Sequence, residues 1–361
     1  MNLPTFLTED NPFAEPRAFK SSRMLAQMNE LTAHHAENCV PYRRILDAAF
    51  GGQVSFEILE ELPALPARLF KELELSSVPR DKIVKILSSS GTTGQRPSRI
   101  ILDKETAAAQ THALVRILRA YLGKGRWPLL LVDHSAALKN RNEFSARGAG
   151  IVGFSQFGTD HTYALHDETL LPNWTAIEDF LERHQNRRIL LFGFTFIIWQ
   201  HFLHAVEESG RKLDFGNGIL IHGGGWKRLA AQKVSNAEFK NRLRESLGLR
   251  SIYNYYGMVE QAGSIYMECE AGYLHASDYS DVIIRDPRTL KESPAGAAGL
   301  IETLSTLPRS YPGHVLLTED LGVVHGRDGC QCNRKGTYFT VFGRLPDAEL
   351  RGCSDTFQAK S

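Results

Sequence analysis

The chain has 361 residues, which is enough for two or three compact units or for one large α/β body with a small appendage. Its 42 Lys and Arg residues nearly balance 41 Asp and Glu residues, and a net charge of +1 argues against nucleic acid or an anionic membrane surface as the main partner. No stretch approaches the ~18 apolar residues of a membrane span, and the first residues lack a signal-peptide pattern, so we expect a cytoplasmic protein. Five cysteines, an odd number, fit reduced thiols, metal ligands or a nucleophile better than a disulfide framework.

Residues 1–80 are predicted to form a helical lead-in. Apolar side chains at helical spacing indicate a helix that begins near Ser21, followed by a short helical turn that ends near Phe50. Two prolines in residues 61–66 indicate extended chain, and residues 82–87 alternate in the manner of a strand.

Strands and helices alternate between residues 81 and 263, which we predict to be an α/β body. Strands are expected at residues 128–133, 188–192, 218–222 and 251–255, of which the first two are expected to be buried. Helices are expected at residues 104–122, 174–184, 196–208 and 230–247. This alternation predicts βαβ units in a mostly parallel sheet, with ligands beyond the carboxyl ends of the strands.

The sequence pattern changes after Gly263, where no long helix is predicted. Short strands separated by Gly and Pro turns, as at residues 281–285 and 314–318, predict a β-rich module over residues 264–345. Residues 346–361 then form a short tail that carries one cysteine.

A loop rich in Ser, Thr and Gly follows the predicted strand at residues 82–87. Its backbone amides and hydroxyls could wrap the oxygens of a polyphosphate, and its glycines allow close approach. The loop is not a Walker A motif, because no Gly-Lys-Ser/Thr follows, and an ordinary turn is the alternative. The candidate phosphate-binding residues are Ser88, Ser89, Ser90, Gly91, Thr92, Thr93 and Gly94.

Four later segments add candidate ligands for a nucleotide. Glu260 offers hard oxygens for Mg²⁺, and the aromatic residues before it could stack on a purine ring. Asp320 could accept hydrogen bonds from ribose hydroxyls, with Arg344 as a nearby cation. The remaining candidates lie at the ends of the two strands that precede Glu260: His222, Gly223, Gly224, Tyr255, Tyr256 and Gly257.

In their chain order these segments resemble the core motifs of the adenylate-forming superfamily of acyl- and aryl-CoA ligases, adenylation domains and firefly luciferase. The resemblance covers residues 83–351 and implies ATP and Mg²⁺ as cofactors, with Glu260 in a catalytic role. Three positions depart from the family pattern: Ser98 replaces a lysine, Val259 a threonine and Glu319 a glycine. Arg96 and Arg99 are candidate substitutes for the lysine.

Residues 343–355 and the six that follow resemble the ending of the acyl-protein synthetase (long-chain-fatty-acid–luciferin-component ligase) family. In that family the mobile C-terminal domain with its catalytic lysine is absent, and a cysteine near the C-terminus receives the acyl group. The resemblance implies that Cys353 is the catalytic acyl acceptor, whereas a small buried side chain is the usual state of a free cysteine.

The function that this resemblance implies is the ATP-dependent activation of a long-chain fatty acid to acyl-AMP. Transfer to Cys353 as a thioester would follow, and the partner would be an acyl reductase or another acyl-accepting protein. The alternatives are an acyl- or aryl-CoA ligase, a carrier-protein ligase and a non-catalytic nucleotide-binding scaffold.

Two further groups of residues have both a functional and a structural interpretation. Three thiols and one imidazole could complete a structural Zn²⁺ site, or could be unrelated groups in loops: Cys269, His275, Cys330 and Cys332. Aromatic residues after a glycine could line an acyl pocket, or could only pack in the core: Gly193, Phe194 and Phe196.

Overall fold

The computed structural model describes residues 11–89, 96–138, 146–226 and 234–344. Within these ranges the chain forms two compact units. Unit 1 contains residues 11–121 and 256–344, and unit 2 contains residues 122–255. The domain boundaries expected after residues 80, 263 and 345 stay predictions.

The N-terminal part of unit 1 is the helical lead-in followed by a hairpin. Its longest helix begins four residues before the predicted start, and Met24 and Met28 on it pack in a cluster with Ile283, Leu304 and Val315. The helices are α1 (Arg17–Asn38), α2 (Val40–Ala49), α3 (Leu69–Glu72) and α4 (Lys104–Leu122). The strands are β1 (Leu65–Pro66), β2 (Ile83–Ser88) and β3 (Arg99–Asp103), with β2 and β3 antiparallel.

Unit 2 contains a parallel sheet, as the alternation of strands and helices predicts. Its strands are β4 (Trp127–Val132), β5 (Gly158–Tyr163), β6 (Leu190–Phe194), β7 (Ile219–Gly223) and β8 (Ser251–Tyr256). They lie in the order β8-β7-β6-β4-β5, and every neighbouring pair is parallel. Strands β4, β6, β7 and β8 were predicted, and the first three are almost continuously apolar, as buried parallel strands are. The edge strand β5 was missed because its sequence, Gly-Thr-Asp-His-Thr-Tyr, is polar.

The helices of unit 2 lie between its strands in sequence. They are α5 (Ala146–Ser155), α6 (Trp174–Arg183), α7 (Thr195–Ile197), α8 (His204–Ser209) and α9 (Asn236–Leu247). A π-helical segment, Ile198–Leu203, joins α7 to α8 in one continuous helical stretch. Ser235 begins α9 by accepting a hydrogen bond from the backbone N–H of Glu238, and Gly248 ends it in the left-handed conformation.

The C-terminal part of unit 1 is β-rich, as the short strands and turns predict. Its strands are β9 (Tyr266–Glu268), β10 (Leu274–His275), β11 (Ser280–Arg285), β12 (Gly299–Ser305), β13 (Val315–Arg327) and β14 (Thr337–Arg344). They form an antiparallel sheet in the order β11-β12-β13-β14-β10-β9, and β1 joins β13 in parallel. Among the helices of the described ranges, none is both long and apolar enough to cross a membrane.

Candidate active site

The predicted ribose-binding residue, Asp320, lies within a hydrogen-bonded group in unit 1. The Tyr256 hydroxyl donates a hydrogen bond to Asp320 Oδ2 at 2.7 Å, and Arg344 Nε lies 3.6 Å from Asp320 Oδ1. Asp320 and Arg344 are direct partners in the antiparallel pairing of β13 and β14, so the sheet register brings them together. Burial and the neighbouring Asp320 carboxylate raise the pKa of Tyr256 well above its ordinary value, so this hydroxyl remains a donor.

The strand around Asp320 is shaped by a hydroxyl and a glycine. Thr318 Oγ1 donates to the Ile301 carbonyl at 2.7 Å and accepts a hydrogen bond from the Asp320 backbone N–H at 3.2 Å. The register shifts between Leu321 and Gly322, where a Cβ atom would lie 2.6 Å from the Thr340 carbonyl oxygen. Only glycine fits this approach without displacing β14, so the local sequence fixes the position of Asp320.

The predicted magnesium ligand, Glu260, is buried in a short 3₁₀ turn of unit 1. The Tyr311 hydroxyl donates to the Glu260 carbonyl oxygen at 2.9 Å and accepts from Gln110 Nε2 at 3.1 Å, which holds the backbone of this turn. Burial raises the pKa of the Glu260 carboxyl group, whereas the Ser98 hydroxyl and Arg344 lower it. A buried carboxylate with so little compensating charge suits a divalent cation, since oxygen ligands of this kind are those that Mg²⁺ prefers.

The base of the predicted phosphate-binding loop is closed by two hydrogen bonds. Ser98 donates its backbone N–H to Ser89 Oγ at 2.8 Å, and Ser89 donates its backbone N–H to the Ser98 carbonyl at 3.3 Å. Ser88 lies opposite Arg99 at the end of the hairpin. The remaining predicted loop residues, Ser90, Gly91, Thr92, Thr93 and Gly94, lie outside the described ranges, as does Cys353.

Gly223 is the last residue of β7 in unit 2 and Gly224 follows it, and both allow close packing there. A Cβ atom on Gly223 would lie 2.3 Å from the Tyr255 ring, and Gly224 adopts φ +81° with Phe194 beside it. His222, just before them, is buried, and its Nδ1 lies 2.9 Å from Thr195 Oγ1. Burial lowers the pKa of His222 to about 3, so its imidazole is neutral at physiological pH. Gly257 directly follows Tyr256 and is half-buried.

The residues predicted to line an acyl pocket lie at the carboxyl end of β6. A Cβ atom on Gly193 would meet Val132 and Ile198 at 3.0 Å, so the backbone is tightly packed there. Phe194 is buried with its ring centroid 5.7 Å from that of Phe192, and the Phe196 ring lies 6.0 Å from His201. Their role in acyl binding stays a prediction.

A buried polar cluster that the sequence analysis did not predict lies at the carboxyl end of β4. Arg147 Nε donates to Asp133 Oδ2 at 2.8 Å, and both side chains are buried. His201 lies near them on the π-helical segment, where burial and Arg147 lower its pKa. The available signal was an aspartate directly after a buried strand, which is a common place for functional side chains in α/β folds.

The four predicted metal ligands are brought together in unit 1. One ligand atom from each of Cys269, His275, Cys330 and Cys332 lies within 4.8 Å of all the others. The Sγ atoms of Cys269 and Cys330 are 3.8 Å apart, and Cys332 Sγ is 3.3 Å from His275 Nε2. Zn–S bonds of about 2.3 Å place two sulfurs about 3.8 Å apart on a tetrahedron, so these separations fit a tetrahedral Zn²⁺ site.

The surroundings of the cluster also suit a metal. Burial raises the pKa of Cys269 to about 12 and, with Arg334, lowers that of His275 to about 4. The imidazole is therefore neutral and keeps a lone pair, and a bound cation would stabilise thiolates that are otherwise costly to bury. Cys39 is buried and far from this cluster in sequence, as expected of a structural cysteine.

Comparison with known proteins yields a family model, curated relatives and solved structures. The family model described as acyl-protein synthetase, LuxE, matches residues 5–361. A long-chain-fatty-acid–luciferin-component ligase of Vibrio harveyi is 25% identical over 355 residues, which cover 91% of this chain and 86% of the relative. The protein of the same name from Aliivibrio fischeri is 23% identical over 287 residues, which cover 74% of this chain and 70% of the relative.

The solved structures include 2-hydroxyisobutyryl-CoA ligase in an open conformation, in complex with 2-HIB-AMP and CoA. The TM-score is 0.73 at 17% sequence identity, and the match covers 96% of this chain and 80% of that one. At this identity the similarity speaks for the fold alone. It confirms the predicted α/β fold of the adenylate-forming ligases.

Proposed function

The chain belongs to the LuxE family of acyl-protein synthetases, and on that premise we propose that it activates a long-chain fatty acid with ATP and Mg²⁺. The acyl group is then held on Cys353 as a thioester and delivered to a partner acyl reductase or another acyl-accepting protein. The curated relatives, both called long-chain-fatty-acid–luciferin-component ligases, support the choice of substrate.

The proposed reaction has two balanced steps. In the first, a carboxylate oxygen of the fatty acid attacks the α-phosphorus of ATP, and the bond to the bridging oxygen breaks to release pyrophosphate. In the second, the Cys353 thiolate attacks the acyl carbon of acyl-AMP, and AMP leaves with the electrons of the acyl–oxygen bond. The thiol proton passes to solvent or a nearby base.

The observation that carries the proposal is the group formed by Tyr256, Asp320 and Arg344. The Tyr256 hydroxyl lies 2.7 Å from Asp320 Oδ2, and Arg344 Nε lies 3.6 Å from Asp320 Oδ1. The carboxylate oxygens keep further lone pairs that can accept hydrogen bonds from ribose hydroxyls. Arg344 offers a positive charge beside this acceptor and lowers the pKa of Glu260, which connects the two parts of the site electrostatically.

Glu260 is the proposed protein ligand of Mg²⁺. A bound Mg²⁺ would neutralise phosphate charge and so favour attack on the α-phosphorus. The buried Glu260 carboxylate holds the negative charge that such an ion requires, and the Tyr311 hydrogen bond to its carbonyl keeps the turn in place. Val259, buried beside it, provides no hydroxyl.

Activation is tested by fatty-acid-dependent exchange of labelled pyrophosphate into ATP. Asp320→Asn removes the charged acceptor but keeps an oxygen for Tyr256, and we expect the KM for ATP to rise about 10- to 100-fold, since hydrogen bonds to charged groups contribute about 1.5–3 kcal/mol. Asp47→Asn, at an exposed position on α2, is the matched control and leaves exchange unchanged. Failure of every fatty acid to support exchange, in folded protein that binds ATP, would favour a non-catalytic scaffold.

The acyl acceptor is tested by the mass of the intact protein after incubation with ATP, Mg²⁺ and a panel of fatty acids. We expect one acyl group per chain, released by neutral hydroxylamine and absent in Cys353→Ser but present in Cys39→Ser. An acyl-protein that survives the Cys353 substitution contradicts the thioester. Acyl transfer to free CoA without a protein-bound intermediate would instead identify a CoA ligase.

We also propose that Cys269, His275, Cys330 and Cys332 hold a structural Zn²⁺ ion that braces the sheet of unit 1. Their separations and burial support this assignment. Metal analysis should find one zinc ion per chain, and Cys330→Ala should abolish it, whereas Cys39→Ala retains it. Full zinc retention in the Cys330 variant would refute the assignment.

A further inference from the structure

Arg334 lies two residues after Cys332, beside the candidate zinc cluster, and its guanidinium contacts several side chains around the cluster. Burial alone would raise the pKa of the Cys332 thiol, whereas the neighbouring Arg334 lowers it. The guanidinium also pairs with Glu270, the residue directly after Cys269, with Nη2 3.2 Å from Oε1. It lies over the Tyr121 ring at 4.6 Å from the centroid, and its side chain is only 15% exposed.

We propose that Arg334 is a positioning residue for the metal site. Through its contacts, metal binding stabilises the packing of the N-terminal segment and of the C-terminal end of α4. This inference rests on the proposed zinc site. Nothing in the residue's sequence context distinguishes it, because only folding brings Cys332, Glu270 and Tyr121 around one guanidinium.

The charge of the site explains why a cation is needed there. Three thiolates and one neutral imidazole around Zn²⁺ leave a net charge of −1, which is costly to hold at a site that is mostly buried. Arg334 places a fixed positive charge close to these thiolates, two residues after Cys332 and paired with the residue that follows Cys269, and charges outside the coordination shell commonly stabilise metal ligands in this way. A planar guanidinium can do this while it also binds Glu270 and stacks on Tyr121, which a lysine cannot.

The N-terminal segment packs against the loop that contains Arg334. The backbone N–H of Lys335 donates to the Phe13 carbonyl at 2.9 Å, and the Phe13 ring lies 5.9 Å from the Arg334 guanidinium. The Phe13 ring is also in edge contact with Tyr121, at 6.0 Å, and with His275, at 6.4 Å. Phe13 is therefore held between a metal ligand and the residue that neutralises the site.

Tyr121, near the end of α4, also contacts Arg334. The Arg334 guanidinium lies over the Tyr121 ring, and the Tyr121 hydroxyl lies 3.4 Å from the Met267 carbonyl oxygen on β9. Tyr121 is the last residue of unit 1 before the chain enters unit 2. Loss of the metal frees Cys332, which lies two residues before Arg334, and so loosens the placement of the guanidinium over Phe13 and Tyr121.

The test compares Arg334→Gln with Arg327→Gln in the full chain. Arg327, at the end of β13, forms an ion pair with Glu292 at 2.9 Å, as Arg334 does with Glu270, but its side chain is about a third exposed. It is therefore a matched control. We expect zinc affinity, measured by competition with a chelating dye, to fall about 10- to 100-fold in Arg334→Gln and to stay unchanged in Arg327→Gln. Arg334→Lys, which keeps the charge, should recover part of the affinity and serves if Arg334→Gln does not fold.

Two readouts separate this role from simple packing. In Co²⁺-loaded protein, the thiolate-to-cobalt absorption band should shift in Arg334→Gln but not in Arg327→Gln. Hydrogen exchange in residues 11–23 and 115–121 should accelerate when a chelator strips the wild type, and should already be fast in zinc-loaded Arg334→Gln. Equal affinity and an unshifted band in Arg334→Gln overturn the role of Arg334 while the zinc site stands, whereas a wild type that takes up no zinc overturns both.

Discussion

Replacing His314 by glutamine tests how strongly burial of neutral histidines makes unit 1 sensitive to acid. His314 directly precedes β13 and is buried, and its Nε2 lies 2.9 Å from Thr32 Oγ1. The Thr32 hydroxyl donates to the Met28 carbonyl at 2.8 Å, so Nε2 of His314 carries the hydrogen and donates to Thr32. The glutamine amide has an N–H donor near the same place. His314→Gln therefore removes the titration but retains the hydrogen bond.

The magnitude follows from the pKa difference between the folded and unfolded states. Burial lowers the pKa of His314 to about 3 from its ordinary 6.5, and the facing groups are other histidines, with His34 lowering it further and the His35 ring 4.9 Å away. Below pH 6.5 the unfolded chain binds a proton that the folded chain does not, so stability falls as the pH drops from 6.5 towards 3. Between pH 7 and pH 5 this difference in protonation of His314 lowers the free energy of unfolding by about 2 kcal/mol.

The measurement is the free energy of unfolding of unit 1, from urea titrations at pH 7 and pH 5. The loss of stability between these two pH values should be about 2 kcal/mol smaller in His314→Gln than in the wild type. His161→Gln, which removes an exposed imidazole, should leave the loss as it is in the wild type. An equal loss in the wild type and in His314→Gln would show that His314 titrates normally in the folded state and would refute the argument.

Two further substitutions test packing and charge. Arg285→Met leaves the buried Glu302 carboxylate, 2.7 Å away, without its partner and should reduce the free energy of unfolding by about 3–5 kcal/mol, while adding Glu302→Leu recovers most of that loss in the same urea titration. Gly223→Ala forces the Tyr255 ring aside and should destabilise unit 2 by about 1–3 kcal/mol and weaken ATP binding, measured by calorimetry. Gly225→Ala, with open space around its added Cβ, is the control and should change neither quantity.

The strands and helices with strong periodicity were predictable from the sequence. The helix predicted over residues 104–122 is α4 with the same bounds, and the strands predicted at residues 128–133, 188–192, 218–222 and 251–255 are β4, β6, β7 and β8 within two residues at each end. Strands β3 and β5 are among those that were not predicted from the sequence. Strand β5 is a polar edge strand, and β3 follows a Ser/Thr/Gly loop without a helix between, so neither has a distinctive pattern of its own.

The candidate site residues could be named from the sequence where a motif lies within a few residues of chain, and where a resemblance puts distant motifs in order. The contact between Tyr256 and Asp320 joins residues 64 positions apart, and no local pattern in the sequence pairs them, although each residue belongs to a recognisable motif. The Asp133–Arg147 pair and the role proposed for Arg334 were not predicted, because an isolated aspartate or arginine is usually a solvated surface group.

The amino-acid sequence alone determined the α/β class, the β-rich segment after Gly263 and the residue types available for phosphate, magnesium and zinc. These follow from hydrophobic periodicity and from the short-range chemistry of side chains, which act along the chain. Tertiary structure alone decided which groups meet: the four metal ligands within 4.8 Å, the Asp320–Arg344 register and the buried neutral state of His314. Sheet pairing and desolvation depend on segments distant in sequence, so no local pattern can encode their outcome.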